Sequence, residues 1–163
     1  MFMDKTIIAI DPGPKQSAYV WYDYCSRVLL AWQKIDNHLL LSGLDGISAP
    51  ACAIEMVACY GMSVGKDVFQ TCVWIGRFTE RWLSRGLERT APIYITRMDA
   101  KMHLCHNSHA ADPNVRQALI DMFGPGKELA IGKKASPGPL YGLSKDGWSA
   151  LAIAVTASEM EKA

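Results

Sequence analysis

At 163 residues the chain suits one domain built around one hydrophobic core. Half of its residues are hydrophobic and a fifth charged, and no apolar run approaches the ~20 residues of a membrane span, which excludes both a disordered chain and a membrane-spanning one. A net charge of +1 argues against a protein that coats nucleic acid through bulk charge alone. Five cysteines without a Cys-x-x-Cys pair, and an N-terminus without signal-peptide order, lead to the expectation of reduced thiols in a cytoplasmic setting.

The pass along the chain begins with Thr6–Asp11. Its apolar run Ile7-Ile8-Ala9-Ile10 suits a central strand buried on both faces, broken by Asp11-Pro12-Gly13-Pro14. Ser17–Asp23 and Val28–Ile35 are rich in β-branched and aromatic residues around a turn at Asp23–Arg27, completing a three-strand meander. Gly43–Pro50 reads as a loop, and Ala51–Val57 as a fourth strand that carries one acid, Glu55. After a flexible Gly61–Gly65 connection, Lys66–Gly86 reads as a helix whose apolar face comprises Val68, Phe69, Cys72, Val73, Ile75 and Trp82. Pro92–Thr96 is a fifth strand. Asp112 as N-cap and Pro113 as first residue open another helix, which Gly124-Pro125-Gly126 ends. Gly124–Gly142 reads as an exposed loop, and Ser144–Glu159 as an Ala-rich closing helix. This order predicts an α/β fold: a mixed five-stranded sheet flanked by helices, in one domain over residues 1–163.

Three acids stand where acids are costly. Asp11 ends the first strand, Glu55 lies within an apolar strand, and Asp146 falls in the first turn of the last helix. Carboxylates in hydrophobic runs require a partner or a cation. If the first and fourth strands are neighbours, Asp11 and Glu55 converge and the last helix brings Asp146 to them. Three such oxygen donors suit Mg²⁺ or Mn²⁺.

At these residues the chain resembles the RuvC-like Holliday junction resolvases of the RNase H-like superfamily, in their compact phage and prophage form. Ile7–Gly13 resembles the family's opening strand with its Asp-Pro-Gly ending, Ala53-Ile54-Glu55 the strand with the second acid, and Asp146–Ala154 the closing helix with its Ala-Leu-Ala pattern. The resemblance implies an RNase H-like fold and a metal-dependent endodeoxyribonuclease. Such an enzyme makes paired nicks in four-way junctions through a metal-activated water, with two ions per site. Asp11, Glu55 and Asp146 are the implied catalytic and metal residues. Ser149 stands where the family commonly has a second acid one helical turn after the first, so its place in the metal set is the point of departure.

DNA contacts are expected outside the acidic centre. The candidates are Arg77, Arg81 and Arg85 along the long helix, Lys66 at its start, Lys127, Lys133 and Lys134 in the glycine-rich loop, and Lys145 beside Asp146. Tyr60 and Met62 are candidates for contact with an unstacked base. Two symmetric cuts imply a homodimer, for which the apolar face of the Lys66–Gly86 helix is one candidate surface. His103, Cys105, His106 and His109 are crowded together but match no zinc spacing, and are expected to be ordinary surface residues. Two other readings fit the same fold: a nuclease acting on RNA or RNA–DNA hybrids, and a nucleic-acid-binding module without chemistry.

Overall fold

The computed structural model describes residues 5–86 and 90–160. Three strands open the chain, β1 (Thr6–Asp11), β2 (Gln16–Asp23) and β3 (Val28–Asp36), followed by a short helix α1 (Asn37–Gly43). β4 (Ala51–Met56), the long helix α2 (Lys66–Leu83), β5 (Ile93–Thr96) and helix α3 (Arg97–Cys105) come next. The chain closes with α4 (Asp112–Phe123), the single turn α5 (Lys127–Ala130), a two-residue ribbon β6 (Gly132–Lys133) and β7 (Ser136–Pro137), and α6 (Lys145–Met160). The main sheet has the order β3-β2-β1-β4-β5. The first three strands are antiparallel, and β1, β4 and β5 run parallel. The expected mixed five-stranded sheet flanked by helices is present.

Period-two alternation on β1 explains the layering. Ile7 and Ala9, with Ala53 of β4 and Ile95 of β5, face a core closed by Leu151, Ala154 and Val155 of α6. Ile8 and Ile10, with Cys52 and Ile54, face the opposite core, closed by Trp74, Phe78 and Trp82 of α2. Each fully buried isoleucine contributes about 1.5–3 kcal/mol, which is why an uninterrupted Ile-Ile-Ala-Ile run marks the central strand.

Four expectations are corrected. α2 buries Thr71, Trp74, Ile75, Phe78 and Trp82, whereas Phe69, Cys72 and Val73 are exposed on a second stripe. The large aromatics Trp74 and Phe78, not the aliphatic residues near the start, set the inward face. α1 and α3 arise where no helix was expected. α1 is capped by Asp36, whose Oδ1 accepts the His38 N–H at 2.8 Å. α3 is capped by a Thr96/Asp99 box: Asp99 N–H donates to Thr96 Oγ1 at 3.1 Å, and Thr96 N–H donates to Asp99 Oδ2 at 2.8 Å. α4 is capped one residue earlier than predicted, at Ala111, whose N–H donates to Asn114 Oδ1 at 2.9 Å. Asp112 is thereby released from capping. Finally, 124–142 is not a bare loop. Ala130 and Leu140 are fully buried, and Leu140 N–H donates to the Ala130 carbonyl at 2.9 Å, seating α5 and the ribbon on the core.

Candidate metal centre

The sheet register assembles the site. Asp11 pairs with Ala18, and Ala18 with Lys34 of β3. On the other side Ile10 pairs with Ile54, so Asp11 and Glu55 follow side by side, and Glu55 pairs with Ile95. Lys34, Ala18, Asp11, Glu55 and Ile95 therefore form one row across the sheet. Laterally paired residues share a face, and this row lies on the face that α6 covers.

A buried polar network fixes the Asp11 turn. Asn37 is fully buried; its Nδ2 donates to the Gly13 carbonyl at 2.8 Å, and its Oδ1 accepts the Ser17 hydroxyl at 2.6 Å. Gly13 N–H donates to Ser17 Oγ at 3.1 Å. A Cβ on Gly13 would come within 2.4 Å of the Gln16 carbonyl oxygen, so only glycine fits this turn. Neither Ser17 nor Asn37 was expected at the site; Asn37 opening a helix beside the Asp-Pro-Gly turn offered no pattern that names its partner.

Asp146 arrives from the first turn of α6. The following residue, Gly147, is buried, and a Cβ there would meet the Trp32 ring at 3.1 Å and the Leu143 side chain at 2.8 Å. The missing side chain lets the start of α6 approach β3, where Asp146 Oδ2 meets Lys34 Nζ at 2.5 Å.

The electrostatics are those of crowded acids. Asp11 is pushed up to about 8, first by burial, then by the charge of Glu55 and a hydrogen bond shared with it, then by Asp146. Arg97 pulls in the opposite direction. Lys34 is raised by its hydrogen bond and ion pair with Asp146. Among the described residues, no three of His, Cys, Asp and Glu are gathered tightly enough to hold an ion as they stand. Asp11 and Glu55 touch, and Asp146 acts on Asp11 while engaged by Lys34. The donor chemistry of Asp11, Glu55 and Asp146 fits a hard cation. Ser149 lies one turn further along α6, and its hydroxyl is directed to the Lys145 carbonyl at 3.5 Å.

Beside the acids opens a cavity of about 340 Å³ whose lining includes Glu55, Arg97, Asp112, Lys145, Trp148 and Ser149. Arg97 starts α3 directly after β5, and its Nη2 donates to Asp112 Oδ1 at 2.6 Å. This pairing lowers Asp112 and raises Arg97, whose charge also interacts with Glu55 and Asp11. Arg116 of α4 stacks over the Trp148 ring at 4.8 Å. Arg97, Asp112 and Arg116 escaped sequence reasoning because the Arg97 helix was not foreseen and Asp112 was assigned to capping.

The candidate DNA contacts are dispersed. Tyr60 and Met62 are exposed on the segment that follows β4, immediately beyond Glu55, and Lys66 is the first residue of α2. Lys145 lines the cavity. Lys127 begins α5, Lys133 is on the ribbon, and Lys134 is in its turn, all exposed. Arg77 and Arg81 of α2, and Arg85 just beyond its end, lie on the sheet face opposite α6. Arg77 stacks on Trp74 at 4.1 Å, Arg81 pairs with Asp45, and Arg85 donates to the Ile47 carbonyl, so Arg81 and Arg85 hold the turn after α1 against α2. In the histidine group, His103 Nε2 lies 2.6 Å from Glu159 Oε2, and His106 takes the left-handed conformation that ends α3.

The sheet order and the mixed strand directions are those of an RNase H-like fold, the fold of RuvC. Thermus thermophilus RuvC superposes with a TM-score of 0.64 at 19% identity, covering 96% of each chain. T. thermophilus RuvC in complex with a Holliday junction substrate superposes with a TM-score of 0.66 at 18% identity, covering 96% of this chain and 95% of that one. At these identities the shared property is the fold. No family model and no curated protein matches the sequence. No described helix is long and apolar enough to cross a membrane.

Proposed function

We propose that the chain is a metal-dependent, structure-selective endodeoxyribonuclease that resolves four-way junctions or other branched DNA by paired nicks. One observation carries this reading: Asp11 and Glu55 stand side by side in one row of the sheet, with Asp146 close enough to act on Asp11, so the carboxylates repel one another unless a proton or a cation lies between them. The solved RuvC structure of the same fold that holds a junction substrate supports the choice of branched DNA. Mg²⁺ or Mn²⁺ would be held by Asp11 and Glu55 and joined by Asp146; when bound, it would lower the pKa of a water and offset charge on the phosphate. The resemblance implies two such ions, and Ser149 offers no carboxylate for the second.

The chain's own residues do the remaining work. The Ser17–Asn37 network holds Asp11 in place, and Gly147 lets Asp146 reach the row. Lys34 releases Asp146 as phosphate or cation arrives. Tyr60 and Met62, exposed just past Glu55, suit contact with an unpaired base, and Lys66, Lys127, Lys133, Lys134 and Lys145 suit the flanking phosphates. The exposed stripe of Phe69, Cys72 and Val73 on α2 supports a homodimer, which two symmetric cuts require.

The test is cleavage of a synthetic four-way junction, a linear duplex and an RNA–DNA hybrid with Mg²⁺ or Mn²⁺. Paired symmetric nicks on the junction alone, abolished by Asp11→Asn, are expected. Preferential cutting of the hybrid would move the substrate to RNA. The Lys34–Asp146 pair and Ser149 favour a second reading, a junction-binding module without chemistry; tight junction binding with no cleavage in either metal would establish it.

A further inference from the structure

We propose that Arg97 grips the scissile phosphate on the side of Glu55 where a second metal ion would otherwise sit, so that the centre works with one divalent cation and one guanidinium. This rests on the phosphodiester reading above and specifies its site.

The topology puts Arg97 there. β1, β4 and β5 are parallel, so their carboxyl ends share one edge of the sheet. Asp11 ends β1, Glu55 is the next-to-last residue of β4, and Arg97 follows Thr96, the register partner of Met56. Arg97 shares a cavity with Glu55 and Ser149, and its charge interacts with Glu55 and Asp11.

The charged side chains of the cavity, set in an otherwise largely apolar wall, are mostly basic. Arg97, Lys101, Arg116 and Lys145 line it, against the two carboxylates of Glu55 and Asp112. One of those carboxylates is already committed, since Asp112 holds Arg97 at 2.6 Å. A second divalent cation would enter a space with excess positive charge and no free acid on the α6 side, where Ser149 faces the Lys145 carbonyl. A phosphate entering the same space meets the opposite field. A guanidinium has five N–H donors in a fixed fork; Asp112 anchors Arg97 from one side, and its side chain, about half exposed, presents the rest to the cavity. Being tethered before substrate arrives, it loses little freedom on binding a phosphate oxygen.

Four proteins test this: wild type, Arg97→Met, Arg97→Lys, and Arg97→Met combined with Ser149→Asp. Mn²⁺ alone is titrated by calorimetry and by electron paramagnetic resonance, and junction binding is measured in Ca²⁺ across a salt series. Wild type is expected to bind one Mn²⁺ per protomer, and the double variant two, with the spin coupling of a paired site. Arg97→Met is expected to keep the single ion, bind the junction roughly tenfold more weakly with a salt slope smaller by about one, and cut at least about a hundredfold more slowly. Arg97→Lys should recover part of the binding and less of the rate. Two tightly bound ions in wild type, or an Arg97→Met protein that melts normally and binds and cuts as wild type does, would overturn the proposal while leaving a nuclease. A wild type that cuts none of the three substrates while binding one ion would instead end the nuclease reading, and unchanged junction affinity in Arg97→Met would then end this one too.

Discussion

Lys34 and Asp146 meet at 2.5 Å between β3 and the first turn of α6, although neither lies near the other in sequence. The pair engages the acid proposed as the third donor of the metal centre. Both side chains are more than a third exposed, so the bond is worth little by itself, about 1 kcal/mol at most. That is enough to tune an ion-binding equilibrium. Lys34→Met is expected to tighten Mn²⁺ binding in the absence of DNA by about fivefold, the equivalent of that energy. Titration of both proteins by calorimetry checks it; equal or weaker affinity in the variant would mean that Asp146 is not the third donor.

The Asn37 network yields a stability prediction with a functional tail. Asn37 is fully buried and hydrogen-bonds to the Asp11 turn and its neighbour, through the Gly13 carbonyl and Ser17 Oγ. Asn37→Leu leaves the Ser17 hydroxyl and the Gly13 carbonyl without these partners, at a cost of about 2–3 kcal/mol. Urea unfolding reads the stability loss. Because the network holds the turn next to Asp11, Mn²⁺ affinity should fall as well, whereas a core truncation of similar cost far from the site, Trp82→Phe, should leave metal affinity unchanged.

The α2 surface predicts assembly. Phe69 and Val73 are each 62% exposed, one helical turn apart, on a stripe separate from the buried Trp74 and Phe78. Phe69→Glu with Val73→Glu is expected to leave the melting temperature of the monomer nearly unchanged and to convert a dimer into monomers in sedimentation velocity. Junction cleavage should then lose its pairing, with single nicks replacing coordinated ones. A wild type that sediments as a monomer at all concentrations would remove the homodimer from the proposed mechanism.

The fold was legible wherever one physical signal dominated. Ile7–Ile10 could only be a strand covered on both faces, and the Ala-rich run after Asp146 could only be a packed helix. The order of acids then located Asp11, Glu55 and Asp146 correctly on β1, β4 and α6. What stayed hidden depended on partners far away in sequence. Lys34 looked like an ordinary polar residue of an alternating strand until the register set it in the Asp11 row. Asp112 looked like a cap because a carboxylate before proline usually is one, yet Asn114 took over the cap and left Asp112 to Arg97. The arginine stripe of α2 had the spacing of a DNA grip, but Asp45 and the Ile47 carbonyl claim Arg81 and Arg85. The Thr96-x-x-Asp99 box was readable and announces α3; following it would have placed Arg97 beside the site from sequence.

Asp11 makes the metal-free protein pH-sensitive in a direction that can be worked out. Its carboxyl is pushed up to about 8 in the folded chain by burial and by Glu55, against an ordinary value of 3.8. Between those values the folded state binds the proton that the unfolded state has released, so stability falls as pH rises from about 4 to about 8 and is flat beyond. Solvent access at the rim of the site and coupling to Glu55 reduce the effect to on the order of 2 kcal/mol. Asp11→Asn removes the charge and its repulsion, so the variant in EDTA should be more stable than wild type at pH 8 by about that amount, with the two nearly equal at pH 4. Saturating Mn²⁺ should stabilise wild type far more at pH 8 than at pH 5, and should do little for Asp11→Asn. Urea unfolding with and without Mn²⁺ measures all of these. A variant less stable than wild type at pH 8 in EDTA would show that Asp11 stabilises the fold through contacts of its own, and the acids would no longer point to a missing cation.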